Sequence, residues 1–312
     1  MKKILVTGGA GYVGTTLVPM LLDRGHDVTV IDSLMFMNGD RMIPFMNNDR
    51  FKFIKGDVRN RELMQNLVDD KDVVIHLAAY VGFPICRLKG QDESYSLNTE
   101  ATKMIVEIMK DNQYLLFGST GSNYGEVIGL CTEDTPLNPL SIYGKTKTEA
   151  EQIVMSKSNA TAFRFATAFG ISPRMRLDLL VNDLTYKAIT EGYAVIYESH
   201  FLRTFIHIRD LARSFIFAID NQHRMAGEVY NVGSNKMNYT KREVCQMINQ
   251  EIPEAFFHHA SIKEDPDKRN YKVSYDKINS LGFEVEVDLK TGIREIKESV
   301  QLLEHSLRYR NV

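Results

Sequence analysis

An apolar strand running straight into a glycine-spaced turn constrains this chain more than any other feature: Ile4-Leu5-Val6-Thr7-Gly8-Gly9-Ala10-Gly11-Tyr12-Val13-Gly14. A helical pattern begins at once behind it. Gly8 permits the sharp turn, Gly11 lets an anion approach the backbone, and Gly14 lets the helix pack close to the strand. A pyrophosphate then sits on the N–H groups around Tyr12 and Val13, at the positive end of the helix dipole. A second apolar strand, Asp27-Val28-Thr29-Val30-Ile31, ends in Asp32. It lies about 20 residues on, where a carboxylate binds both hydroxyls of an adenosine ribose. No arginine follows Asp32 directly to receive a 2′-phosphate, so the expected cofactor is NAD rather than NADP. The competing reading of Asp32 is a turn opened with Ser33.

Behind that turn, short β-branched runs alternate with longer periodic segments. Strands are expected near 2–7, 27–32, 51–55, 73–77, 113–118 and 160–166, and helices near 13–24, 60–70, 93–111 and 144–157. Such alternation means parallel pairing with right-handed crossovers, hence an α/β fold with a doubly wound parallel sheet. Pro19 is awkward inside the first helix, because it lacks an N–H. After about residue 170 the rhythm changes. Helices are expected near 179–191, 210–221, 240–250 and 289–307, and strands near 194–197, 204–207 and 227–232. We therefore expect a nucleotide-binding domain over 1–170 and a smaller α/β substrate lobe over 171–312, interwoven with it.

The remaining bulk features mainly exclude. A net charge of −2 offers no electrostatic argument for nucleic acid or membrane partners, and no apolar run approaches a membrane span. Cys86, Cys131 and Cys245 are odd in number and widely spaced, which suits a reducing cytoplasm. His258 and His259 are adjacent, without a partner ligand nearby in sequence, so no metal site is expected.

Tyr143-Gly144-Lys145-Thr146-Lys147 places a phenol and an ammonium four residues apart on one helical face. A phenol titrates near 10 and is a poor base at neutral pH. A lysine one turn away and a cationic nicotinamide above it both favour the phenolate. The pair could then take a hydroxyl proton while hydride leaves the adjoining carbon. Upstream, Phe117-Gly118-Ser119-Thr120 reads as a strand ending in hydroxyl residues.

Together these features resemble the extended short-chain dehydrogenase/reductase family, the NAD-dependent nucleotide-sugar epimerases and dehydratases, over essentially the whole chain. The resemblance implies a Rossmann sheet and casts Thr120, Tyr143 and Lys147 as the catalytic set. It implies that Asp57 and Val58 hold the adenine, that Leu77, Ala78 and Ala79 line the cofactor, and that Asn98 is structural. Arg203-x-Phe205-Ile206-His207-Ile208-x-Asp210 resembles a signature whose arginine contacts the sugar-nucleotide diphosphate, and Arg269 stands where a further phosphate-binding arginine is usual. Ser122, Arg174 and Arg176 complete the expected substrate contacts, since guanidinium forks match phosphate oxygens. Surface salt bridges are the competing reading of each arginine. The family also implies a homodimer, paired through the helices near 93–111 and 144–157.

Two departures narrow the activity. Members that dehydrate their sugars carry Thr-Asp-Glu, where this chain has Thr120-Gly121-Ser122. Glycine and serine cannot serve as the acid and base of that elimination. The family's Arg-Tyr-Phe-Asn appears here as Arg164-Phe165-Ala166-Thr167. The stretch from Ser172 to Asp183, with Glu264 to Tyr271, resembles a branch that includes GDP-heptose 4-dehydrogenases acting on surface-polysaccharide sugars. The expectation is NAD-dependent oxidation at C4 of a nucleoside-diphosphate sugar, a GDP-sugar being favoured weakly, by a 4-epimerase or a 4-dehydrogenase. A dehydratase-like enzyme and a non-catalytic NAD-binding protein are the alternatives.

Overall fold

The computed structural model describes residues 1–260, 270–303 and 309–311. Seven parallel strands form the central sheet: β1 (Lys3–Thr7), β2 (Asp27–Asp32), β3 (Phe51–Lys55), β4 (Val73–His76), β5 (Tyr114–Thr120), β6 (Ala160–Phe165) and β7 (Glu228–Val232). Their spatial order is β7-β6-β5-β4-β1-β2-β3. Strand order therefore reverses between β1 and β4, which opens a crevice at their carboxyl ends.

Alternation within the strands explains why helices cover both faces. Ile4 and Val6 of β1 join one buried cluster with Leu17, Leu21 and Phe215, on helices Gly14–Asp23 and Ile208–Asp220. Leu5 faces the other way, into a cluster with Met64, Ile105 and Val154 from helices Arg61–Val68, Ala101–Ile108 and Ile142–Val154. A third cluster, including Leu177, Val244 and Ile293, is the core of the C-terminal elements. Caps set several helix starts. Ser141 Oγ accepts from Gly144 N at 3.0 Å, and Thr240 with Glu243 forms a reciprocal capping box.

Some expectations hold and others need correction. The strand expected near 227–232 is β7, paired along its length with β6, so the main sheet continues past residue 170. The long helix expected over 93–111 is three pieces: Gln91–Tyr95, a π turn at Ser96–Glu100, and Ala101–Ile108. The terminal helix covers Leu289–Ser299 and tightens into a 3-10 turn at Val300–Leu302, and the last part of the expected span, 304–307, lies outside the described residues. The helix Gly14–Asp23 contains Pro19. Helix Phe83–Lys89 and strand Glu126–Cys131 lack a strong periodic signal in the sequence. No helix among the described residues is long and apolar enough to cross a membrane.

Candidate functional site

The crevice at the strand-order reversal is a cavity of about 500 Å³. Its first wall is the turn after β1. Gly8 has φ +68°, and a Cβ there would stand 2.8 Å from Ala78 N, so β1 and β4 approach too closely for any side chain. At Gly14 a Cβ would meet Gly9 O at 2.3 Å, which locks the helix start onto the turn. That helix has no side-chain cap and no acidic residue in its first turn. Tyr12 and Val13 therefore present an uncompensated positive end to the cavity.

Asp32 closes β2 at the same end. Its carboxylate accepts from Ala10 N at 3.1 Å and Leu34 N at 2.8 Å. Burial raises its pKa, and these two backbone bonds oppose the shift. Asn38, which the sequence reading missed, donates to Ala10 O at 2.6 Å while its buried Oδ1 has no partner. Asp57 also lines this end, but Arg59 grips its carboxylate with two side-chain nitrogens and holds its pKa below the ordinary range. Val58, Leu77, Ala78 and Ala79 supply apolar lining.

Tyr143, Lys147, Thr120 and Ser122 gather in the same cavity. The first two stand one turn apart on helix Ile142–Val154, whose phase the Ser141 cap sets. Lys147 is 3% exposed, and its Nζ lies 3.8 Å from the Phe117 ring centroid. Burial pulls its pKa down to about 7, against the opposing pull of Glu151. At the end of β5, Thr120 Oγ1 donates to Ser122 Oγ at 3.1 Å and accepts from Ser122 N at 3.1 Å. Behind them His76 lies between Thr7 and Thr102, at 2.7 and 3.0 Å, and burial lowers its pKa to about 3. It is a neutral spacer.

A buried polar frame fixes this face of the cavity. Glu151 accepts from Arg164 Nη2 at 2.7 Å, Ser119 Oγ at 2.6 Å and Asn123 Nδ2 at 3.0 Å. Asn98, in the π turn, accepts from Tyr80 N at 2.7 Å and donates to Thr146 Oγ1 at 3.1 Å.

The expected substrate arginines separate. Arg176 lines the cavity but is ion-paired to Asp178 and donates to Val81 O at 3.3 Å. Arg174 lines it too, 4.8 Å from the Phe36 ring centroid. Arg203 lies outside the cavity lining. It is buried on strand Leu202–His207, which pairs with Asn238–Thr240 in a separate small sheet, and it donates to Leu202 O at 3.0 Å. Arg269 lies outside the described residues. Phe36, Asn38 and Asn311 are lining residues that no sequence signal marked.

The profile of the NAD dependent epimerase/dehydratase family matches residues 4–233. A low-salt glycan biosynthesis protein of Haloferax volcanii is 28% identical, over 93% of this chain and 96% of its own length. A putative UDP-glucose 4-epimerase of Methanocaldococcus jannaschii is 27% identical, over 94% and 96%. Among solved structures, UDP-glucuronic acid 4-epimerase from Bacillus cereus, in complex with UDP-glucuronic acid and NAD, superposes with a TM-score of 0.85. It is 26% identical, over 97% of this chain and 100% of that one.

Proposed function

Because the chain belongs to the NAD dependent epimerase/dehydratase family, we propose that it is an NAD-dependent enzyme that oxidises C4 of a nucleoside-diphosphate sugar, as a 4-epimerase or a 4-dehydrogenase. One observation carries this reading. A single cavity joins the Gly8–Gly14 turn and Asp32 to Tyr143, Lys147 and Thr120. The residues present fit NAD. The uncapped helix start suits its diphosphate, the orphaned Asn38 Oδ1 awaits a donor, and the buried Lys147 ammonium has no hydrogen-bond acceptor among the described residues. When bound, NAD supplies the hydride acceptor.

Tyr143 takes the C4 hydroxyl proton, Thr120 orients that hydroxyl through its bonds with Ser122, and Lys147 favours the phenolate and holds the nicotinamide ribose. A keto sugar that regains hydride on its other face gives epimerisation, whereas one that departs gives net dehydrogenation. The elimination chemistry of dehydrating relatives finds no carboxylate pair at Gly121 and Ser122.

Residues 171–312 act as the main sugar-nucleotide lobe in this reading. The stretch from Ser172 to Asp183 favours a GDP-sugar by its resemblance to the GDP-heptose branch, and the UDP-glucuronic acid complex favours a UDP-sugar. Purified protein incubated with each in turn, read by absorbance near 340 nm and product mass, tests both base and outcome. NADH accumulation with a product two mass units lighter marks a dehydrogenase, and an isomer of unchanged mass marks an epimerase. Tyr143→Phe should lower kcat by about 10²–10⁴-fold while NAD still binds. Unchanged turnover in that variant would sink the assignment.

A homodimer through helices Gln91–Tyr95, Ala101–Ile108 and Ile142–Val154 completes the proposal, with light scattering as its check. A reducing cytoplasm suits the three buried free cysteines.

A further inference from the structure

Residues 309–311 come to the cofactor end of the cavity from the far end of the sequence. Asn311 is 9% exposed and lines the cavity, and its Oδ1 accepts from Arg174 Nη2 at 2.8 Å. Its neighbours are tied to the C-terminal elements. Leu177 N donates to Tyr309 O at 2.7 Å, and Arg310 Nη2 pairs with Asp183 Oδ1 at 2.9 Å.

Arg174 is fixed on its other sides too. Its backbone N donates to Thr15 Oγ1 at 3.3 Å, Nη1 donates to Met175 O at 2.9 Å, and the guanidinium lies against the Phe36 ring. All of this holds a buried cation that has no direct ion-pair partner among the described residues. The charges acting on it are Arg176, Asp178, Asp32 and Arg41. Arg176 pairs with Asp178 and Arg41 with Asp40, and no ion pair reaches Arg174 among the described residues. Burial and the Arg176 charge draw its pKa down to about 10. A buried guanidinium held in place without a counter-ion is costly, so the arrangement calls for an anion. Thr15 is the second residue of the helix whose N-terminus faces the cavity. The anion that seats there in the reading above is the cofactor's diphosphate.

We propose that residues 309–311 latch the cofactor: Asn311 holds the Arg174 guanidinium against the diphosphate of bound NAD. Arg174 is thereby a cofactor residue and not a sugar-nucleotide contact. The latch rests on assigning the cavity to NAD, and the test separates the two. NADH affinity is measured by fluorescence titration for wild type, Asn311→Ala and Arg174→Gln. ADP-ribose and adenosine affinities follow by competition, with melting temperatures alongside.

We expect Asn311→Ala to weaken NADH and ADP-ribose together by about 5- to 20-fold, and Arg174→Gln by roughly 100-fold. Adenosine should bind all three proteins equally, and Asn311→Ala should melt within about 2 °C of wild type. Wild-type affinity for NADH in Asn311→Ala would overturn the latch alone. So would a parallel loss of adenosine, which would make Asn311 a support for pocket shape. Should Arg174→Gln fail to fold, Asn311→Ala carries the decision. A wild-type protein that binds no NADH would overturn the NAD assignment and the latch with it.

Discussion

Burial opposes charge at Lys147, whose ammonium the proposed mechanism needs beside Tyr143 and whose pKa is held down to about 7. An unfolded lysine keeps its proton to about pH 10.4, so above pH 7 the unfolded chain binds the extra proton and stability rises with pH. Urea denaturation of nucleotide-free protein should therefore show increasing stability from about pH 7 to about 8.5. In Lys147→Met that slope should vanish; a slope that survives would assign it to other groups. The same scale bears on the missing acid–base pair. A Cβ at Gly121 would stand 3.1 Å from the Tyr271 hydroxyl and 3.3 Å from Phe165 O, so an aspartate there requires these neighbours to give by a few tenths of an ångström. The absence was legible in the sequence, but the crowding around Gly121 was not, because Tyr271 and Phe165 come from distant segments.

Helix Ile142–Val154 carries its residues at intervals of four: Tyr143 and Lys147 toward the cavity, and Glu151 into the polar frame. Removing one member of a buried pair strands the other charge at a cost of about 3–5 kcal/mol. Both sides of the Glu151–Arg164 pair are buried, so Glu151→Ala should lose that much stability in denaturant melts, and a loss near zero would show that the pair is expendable. Elements with a clean apolar period were legible to within a few residues. The π turn at Ser96–Glu100 was not, because an added residue in a helical turn leaves no mark on a short periodic pattern. There Asn98 gains bonds to the Tyr80 backbone and to Thr146, partners that only the tertiary fold brings near.

Across the whole molecule, one cavity draws walls from both halves of the sequence, so its ligand binds only the assembled form. A ligand at 100 times its dissociation constant stabilises by about 2.7 kcal/mol. Saturating NAD should accordingly raise the melting temperature by several degrees, and an unshifted melt at saturation would contradict binding to the native fold alone. The parallel sheet and its switch point were readable from strand–helix alternation. Less readable was the claim of β7 on the main sheet, since pairing with β6 is a choice among edges that one chain does not encode locally. Arg203 likewise stands outside the cavity lining, on a strand that pairs with Asn238–Thr240.

The opposite walls of that cavity are also made at opposite times. The Gly8 turn leaves the ribosome early, whereas Asn311 follows about 300 residues later. At roughly 5–20 residues per second this leaves tens of seconds during which the nascent chain has one wall without the other. With the latch proposed above, full cofactor loading waits until Asn311 has joined the fold, and the dinucleotide can act as a check on chains that have reached it but not as a template for shorter ones.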